Sequence, residues 1–158
     1  MLAIACLVFL PVGCRDLREG VHSLPPDGGE LPILRHHAGA HCHETRAMQL
    51  VIRDPATFAR IPLCDVFVDF SEEMLLIVTL GRVTSDQFTV SIDRVRREGH
   101  ELRVGLTIAS PPPNAPVVMA SPYCIAIVPH CDLNVADFSL APPTRIRSWQ
   151  QSPPPAGP

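Results

Sequence analysis

Lysine is absent from this 158-residue chain, and its 13 basic residues other than histidine are all arginine. This absence excludes Schiff-base chemistry, a P-loop lysine and a lysine general base. The chain also lacks the Gly-x-Gly-x-x-Gly, Gly-x-Ser-x-Gly and His-Glu-x-x-His motifs. A formal net charge of −3 is opposite to the basic excess of nucleic-acid-binding domains. The sequence therefore favours a non-enzymatic protein with no cofactor and no nucleic-acid partner.

The chain starts with an apolar run over residues 2–13. A helix of that length spans about 18 Å, which is short of the roughly 30 Å hydrocarbon core of a membrane. The run has the length of a secretory signal, and small residues precede Cys14 as in a bacterial lipobox. We expect residues 1–13 to be a lipoprotein-type signal peptide and Cys14 to carry the lipid. A plain cleaved signal and an N-terminal strand of a cytosolic protein are the alternatives.

Proline-rich segments at both ends set the expected domain boundaries. The stretch Pro25-Pro26-Asp27-Gly28-Gly29 cannot sustain a helix or a central strand, so residues 14–44 are predicted to be a flexible tether. The run SPPPAGP at 152–158 indicates that residues 141–158 form a disordered tail. The predicted folded domain is 45–140. It would sit in the bacterial cell envelope, held at the membrane by the lipid on Cys14 or released into the periplasm.

Most of this domain alternates apolar and polar residues with a period of two, which is the pattern of β-strands. Asp54-Pro55 offers an N-cap and a first-turn proline, and predicts a short helix over 55–60. Gly99 predicts a hairpin turn between two long alternating runs. The fold class is therefore mainly β, a small antiparallel sandwich or a partly open barrel. The predicted strands are 48–53, 66–70, 74–80, 88–97, 101–109, 117–120 and 124–129.

Three segments of the domain carry a recognisable pattern. VDFSEEMLLIVTLG at 68–81 joins Asp-Phe-Ser, an acidic pair, an apolar strand and a closing glycine. GRVTSDQFTVSI at 81–92 continues into a loop and a strand, and SPYCIAIVP at 121–129 is a late Ser-Pro-Tyr strand. From about Met48 to Pro129 the chain resembles the C-terminal domain of PrcB-type proteins, a family named from a lipoprotein subunit of a bacterial surface protease complex.

The resemblance implies a protein-interaction module that stabilises or regulates an envelope partner, with a protease as the implied partner, and it supplies no catalytic residues. In the loop after residue 80, Asp86 and Gln87 stand where the family has glycines, and Phe88 keeps the aromatic position. In this chain the loop would therefore contact a partner through its side chains, whereas glycines would let the partner approach the loop backbone closely. Phe88 itself is expected to begin the buried face of a strand. The predicted partner-binding loop comprises Gly81, Arg82, Thr84, Ser85, Asp86, Gln87 and Phe88.

A histidine-rich tract supplies the alternative function, a small metal-binding envelope protein. Imidazole and thiolate are ligands for zinc and copper, and such tracts do bind metals. The spacing matches neither a Cys-x-x-Cys pair nor a His-x-x-x-His helix face, so a solvated linker rich in histidine is the favoured interpretation. The residues concerned are His36, His37, His41, Cys42 and His43.

The predicted oxidation state of the cysteines also depends on whether the protein is exported. With Cys6 removed with the signal and Cys14 lipidated, Cys42, Cys64, Cys124 and Cys131 remain. Four cysteines in an exported protein predict one or two disulfides, with three possible connectivities. In a cytosolic protein the same residues would be reduced, buried thiols.

Overall fold

A computed structural model describes residues 24–61, 63 and 66–140, and shows two four-stranded sheets packed face to face. Sheet A has the order β1-β5-β6-β8, and sheet B has the order β2-β7-β4-β3. All neighbouring strands are antiparallel except β6 and β8. The mainly β sandwich predicted from the sequence is therefore confirmed. The elements are β1 Glu30–Leu31, β2 Arg35–Gly39, β3 Ala47–Ile52, α1 Pro55–Phe58, β4 Glu73–Leu80, β5 Thr89–Glu98, β6 Glu101–Ala109, β7 Tyr123–Pro129 and β8 Asn134–Leu140.

Strands β4 and β7 form the centre of sheet B and are buried on both faces. The apolar run predicted this for β4, and every residue from Met74 to Val78 is at most 2% exposed. Alternate residues of each strand point to opposite sides of the sheet. Met74, Leu76 and Val78 pack into the core between the sheets, while Leu75 and Ile77 pack on the other face.

The fully buried residues of the core between the sheets come mainly from five strands. Sheet A contributes only one face, and its other face carries exposed residues such as Arg94, Arg96 and Arg103. This one-sided burial explains the clean alternation of β5 and β6. Core residues from β5, β6, β4 and β7 are Val90, Ile92, Val95, Leu102, Val104, Leu106, Met74, Leu76, Val78, Cys124, Ala126 and Val128, joined by Leu31 of β1.

The second face of sheet B is covered by α1 and the extended chain that follows it. Helix α1 starts at Pro55, and the Asp54 carboxylate caps it by accepting the Thr57 N–H at 2.8 Å. The helix ends at Phe58, two residues before the predicted end. After it, Val66, Val68 and Phe70 pack on the sheet, beside Leu75, Ile77, Ile125 and Ile127.

Two predicted strands are wrong. Residues 66–70 alternate because every second side chain packs on sheet B, but they pair with none of the described strands, and Phe67 is 83% exposed. In 117–120 a single bridge pairs Ala120 with Val83. Pro116 and Pro122, which offer no backbone N–H, bound that segment.

The predicted tether is also wrong over part of its length. The structure places β1 and β2 inside it, where β1 pairs with β5 and β2 pairs with β7 over five residues. The proline content of this segment predicted a tether, but Pro25, Pro26 and Pro32 lie outside the two strands. Strand β2 also buries none of its side chains. Residues 14–23 of the tether, the signal peptide, Cys14 and the 141–158 tail lie outside the described residues.

Strand β8 was not predicted. A register shift in its pairing with β6 puts Val135 and Phe138 on the core at a spacing of three residues, which breaks the alternation. The predicted hairpin is confirmed: Glu98 faces Glu101, and Gly99 has a φ of +62°. No helix among the described residues is long and apolar enough to span a membrane.

Candidate functional site: the loop end of the sandwich

One end of the sandwich gathers three connections. Strands β4 and β6 end there and β3, β5 and β7 begin there, as the pairs Ala47–Leu80, Thr79–Tyr123 and Thr89–Ala109 show. We call this surface the loop end, and define it as residues 40–46, 81–88 and 110–122. It contains the whole partner-binding loop predicted from the sequence.

Loop 81–88 is held to its neighbours by backbone hydrogen bonds. The Arg82 N–H donates to the Thr45 carbonyl at 3.1 Å, which joins the β4–β5 and β2–β3 connections. Val83 and Ala120 exchange two hydrogen bonds of 2.9 and 3.0 Å, and the Val118 N–H donates to Thr84 at 3.1 Å. These hydrogen bonds hold the first half of the loop, at Arg82, Val83 and Thr84, against the two neighbouring connections.

Gly81 begins the loop in a conformation that favours glycine. Its φ is +69°, and a Cβ there would lie 2.7 Å from the Ala47 nitrogen and 3.0 Å from the Thr45 oxygen. Strand β4 therefore turns into the loop directly against the start of β3. This packing gives Gly81 a structural role, whereas the sequence placed it in the partner-binding set.

The middle of the loop needs no glycine. Among the described residues, no residue other than glycine has a positive φ, so Asp86 and Gln87 occupy ordinary backbone conformations. Ser85 is 3% exposed, and its hydroxyl accepts the Gln87 N–H at 3.2 Å. This turn points Ser85 inward and leaves Asp86 and Gln87 exposed. Phe88 is half-buried, but it precedes β5 and belongs to neither core cluster, so its predicted core position is wrong.

An apolar strip lies beside the loop. Val117 is 81% exposed and Met119 is 54% exposed, with Val118 at 37% between them. They belong to the segment that Thr84 and Val83 hold through hydrogen bonds. The sequence assigned these residues to a strand, and alternation gave no sign that they face solvent. The proline run before them was the one available signal of a surface segment.

Polar side chains border this apolar strip. Arg82, Thr84, Asp86 and Gln87 are all exposed on the neighbouring loop. An apolar centre with a polar rim is the usual anatomy of a protein-protein contact surface. Val117 and Met119 thus add an apolar component to the loop that the sequence singled out.

The histidine tract does not form a cluster. His36 and His37 are consecutive on β2 and point to opposite faces of sheet B, while His41 and His43 lie in the connection to β3. The His36 Nε2 instead lies 2.8 Å from the Ile92 carbonyl oxygen. In the described part of the chain, no three His, Cys, Asp or Glu side chains group in a way that could hold a metal ion.

The described cysteines are free thiols. Cys42, Cys124 and Cys131 form no disulfide with one another, and Cys64 lies outside the described residues. Cys42 packs on the outer face of sheet B, whereas Cys124 and Cys131 belong to the core between the sheets. The bridge predicted from the cysteine count is therefore not formed among these three, and the sheet separates Cys42 from the other two.

Burial determines the direction of the pKa shift of the three thiols, whereas hydrogen bonds from the backbone lower the pKa of Glu44. Desolvation raises the pKa of Cys42, Cys124 and Cys131, so none has the lowered pKa of a nucleophilic cysteine. The Arg46 backbone N–H donates to Glu44 at 2.9 Å and lowers the pKa of that carboxyl. Glu44 therefore stays ionised at neutral pH and caps the β2–β3 connection.

No family model, curated protein or solved structure matches this chain. The resemblance to PrcB-type proteins in residues 68–92 and 121–129 stays a prediction.

Proposed function

We propose that this protein is a non-enzymatic, lipid-anchored interaction module of the bacterial cell envelope, and that it stabilises or regulates a protein partner through the loop end. The observation that carries the proposal is the exposure of Val117 and Met119 on a segment hydrogen-bonded to loop 81–88. Exposed apolar groups rimmed by polar residues mark interaction sites on soluble domains. A partner would remove Val117 and Met119 from water.

The framework of the loop end supports binding without rearrangement. Thr84 and Val83 hold the apolar segment, and Arg82 is tied to Thr45, so little backbone freedom would be lost when a partner docks. Interfaces with this pre-organisation lose less free energy to ordering. The side chains of Arg82 and Asp86 would then set the register of the partner, since charged rim residues act on specificity and association rate.

The partner class and the anchor come from the sequence. The resemblance to PrcB-type proteins supports an envelope protease as the partner, and the lipobox-like segment before Cys14 supports a lipid anchor. With Asp86 and Gln87 in place of glycines, the loop would contact its partner through side chains. The proposal assigns no catalytic role and no cofactor.

Binding variants of the loop end test the proposal. The partner is recovered with the full-length protein from detergent-solubilised envelopes, identified, and purified for affinity measurements. We expect Val117→Ser/Met119→Ser to weaken the complex at least tenfold and Arg82→Ala/Asp86→Ala to weaken it about threefold, without lowering the melting temperature. Thr107→Ala, on the exposed face of β6, is the matched control and should leave affinity unchanged. Unchanged affinity in both double variants would remove the loop end from the interface.

A further inference from the structure

Strand β8 is the last strand of sheet A, and none of the described strands pairs with its outer edge. Its other edge pairs with β6, and this ladder ends where Leu140 lies opposite Leu106. An edge strand keeps a row of backbone N–H and C=O groups that can pair with a further strand. The outer edge of β8 is therefore a surface to which one more strand can be added.

The inner face of this edge is apolar and incompletely covered. Val135 and Phe138 are half-buried and pack against the core between the sheets. Leu140 shares this face because it lies opposite the buried Leu106, yet it is 63% exposed. The described elements thus leave most of Leu140 in water. An apolar side chain on an added strand would extend the inner face beside β8.

The outer face of the same edge carries a negative charge. Asp137 is exposed and lies opposite Arg103 of β6. The Arg103 Nε is paired with Glu98 instead, and Asp137 forms no ion pair with any of the described residues. An added strand would complement both faces if it placed a cation opposite Asp137 and an apolar residue opposite Phe138.

The chain that follows β8 has this pattern. Residues 141–143 are Ala-Pro-Pro, and three residues are enough for a hairpin connection. Residues 144–147 are Thr-Arg-Ile-Arg, in which two residues typical of strands alternate with two arginines. In a hairpin with that connection, Ile146 would face Phe138 and Arg147 would face Asp137. Thr144 would then lie opposite Leu140.

We propose that residues 144–147 form a ninth strand, antiparallel to β8, with Ile146 beside Phe138 on the inner face and Arg147 paired with Asp137 on the outer face. The short connection keeps this segment near the edge at a high effective concentration. The strand closes this edge of sheet A to other chains. The inference concerns the edge of β8 and does not depend on a partner at the loop end.

Charge disfavours a second copy of the chain as the occupant of this edge. A two-fold pairing of β8 with β8, centred on the strand, would bring the two Asp137 carboxylates opposite each other. Like charges that face each other across a ladder are destabilising. Arg147 of the same chain offers the opposite charge at the same position.

Hydrogen exchange and NOEs of the full-length protein, followed by NMR, test the inference. We expect the alternate amides of 144–147 that face β8 to exchange at least tenfold slower than in the unfolded chain. We also expect NOEs between Ile146 and Phe138 and between Arg147 and Asp137, unchanged when the protein is diluted tenfold. Exchange of all these amides at the unfolded rate would overturn the inference. Protection that disappears on dilution would assign the edge to a second copy and overturn it equally.

Charge reversal separates this pairing from damage to the fold. Asp137→Arg and Arg147→Asp should each reduce the protection of 144–147 at least threefold, because a like-charge pair replaces an ion pair. The double variant Asp137→Arg/Arg147→Asp should restore protection to within twofold of the unmodified protein. Asp93→Arg is the matched control, since Asp93 is exposed on β5, away from β8, and it should change the protection less than twofold. A double variant with no more protection than the single variants would contradict the pairing.

Discussion

The His36 imidazole joins the two sheets of the sandwich, because its Nε2 donates to the Ile92 carbonyl oxygen across 2.8 Å. His36 lies on the edge strand of sheet B, and Ile92 lies on β5 of sheet A, just before the bulge at Asp93. Strand β1 pairs with β5 only at Val95 and Arg96, so it does not reach Ile92. The side chain of His36 therefore satisfies a carbonyl that strand pairing leaves open.

Removal of this imidazole should destabilise the domain. We expect His36→Ala to lower the free energy of unfolding by about 1–2 kcal/mol, because the part-buried Ile92 carbonyl loses its donor. His37→Ala is the matched control, as it removes an exposed imidazole from the opposite face of the same strand, and it should cost less than about 0.5 kcal/mol. Urea unfolding of the three proteins measures both values. Equal losses for the two variants would show that the contact between His36 and Ile92 does not stabilise the fold.

Two glycines with similar backbone angles should respond differently to substitution. Gly81 and Gly99 have φ values of +69° and +62°, so alanine at either position carries about 1–2 kcal/mol of left-handed strain. At Gly81 the new Cβ would also meet backbone atoms of Thr45, Arg46 and Ala47, whereas at Gly99 nothing lies within 4 Å. We predict that Gly81→Ala lowers the melting temperature clearly more than Gly99→Ala. The reverse order would contradict the packing of Gly81 against β3.

The thiols should differ in reactivity. Burial raises the pKa of Cys124, which is 1% exposed, and the half-buried Cys42 lies at the protein surface. We predict that iodoacetamide at pH 8 modifies Cys42 much faster than Cys124, and that Cys124 reacts at a normal rate only after denaturation. Mass spectrometry of the labelled peptides measures the rates. Fast labelling of Cys124 in the native protein would show that β7 opens, or that its thiol is not in the core.

The raised thiol pKa values also give a direction to the pH dependence of stability. In the folded protein Cys124 and Cys131 keep their protons to higher pH than in the unfolded chain, whose thiols ionise near pH 8.5. The unfolded state therefore loses protons first, and stability declines as pH rises above that value. Thermal melts between pH 7 and pH 10 follow this decline. A stability that rises over this range would contradict the burial of both thiols.

The elements that could be predicted are those whose burial is regular. Strand β4 is buried on both faces and reads as a continuous apolar run, and β5 and β6 alternate around the glycine of their turn. Strand β2 could not be predicted, because β7 holds it through backbone pairing and it buries none of its side chains. In β8 a register shift interrupts the alternation, so the periodic signal is lost.

The candidate site was predictable only in its polar half. Loop 81–88 lies between β4 and β5 where Gly81 and the next alternation place it. The exposure of Val117 and Met119 follows from tertiary structure: the segment lies at the end of the sandwich, held by Val83 and Thr84, and none of the described elements packs over it. A short apolar stretch looks the same in sequence whether it faces a core or solvent.

Site-specific crosslinking in the cell envelope tests the central claim, that the loop end is the surface that binds a partner. A photoreactive residue is placed at Met119 in one protein and at Thr107, on the exposed face of sheet A, in another. We predict that position 119 yields one crosslinked species with a single identified partner, that position 107 yields none, and that Arg82→Ala/Asp86→Ala reduces the yield at 119 severalfold. No crosslink at 119, or the same crosslink from both positions, would contradict the claim.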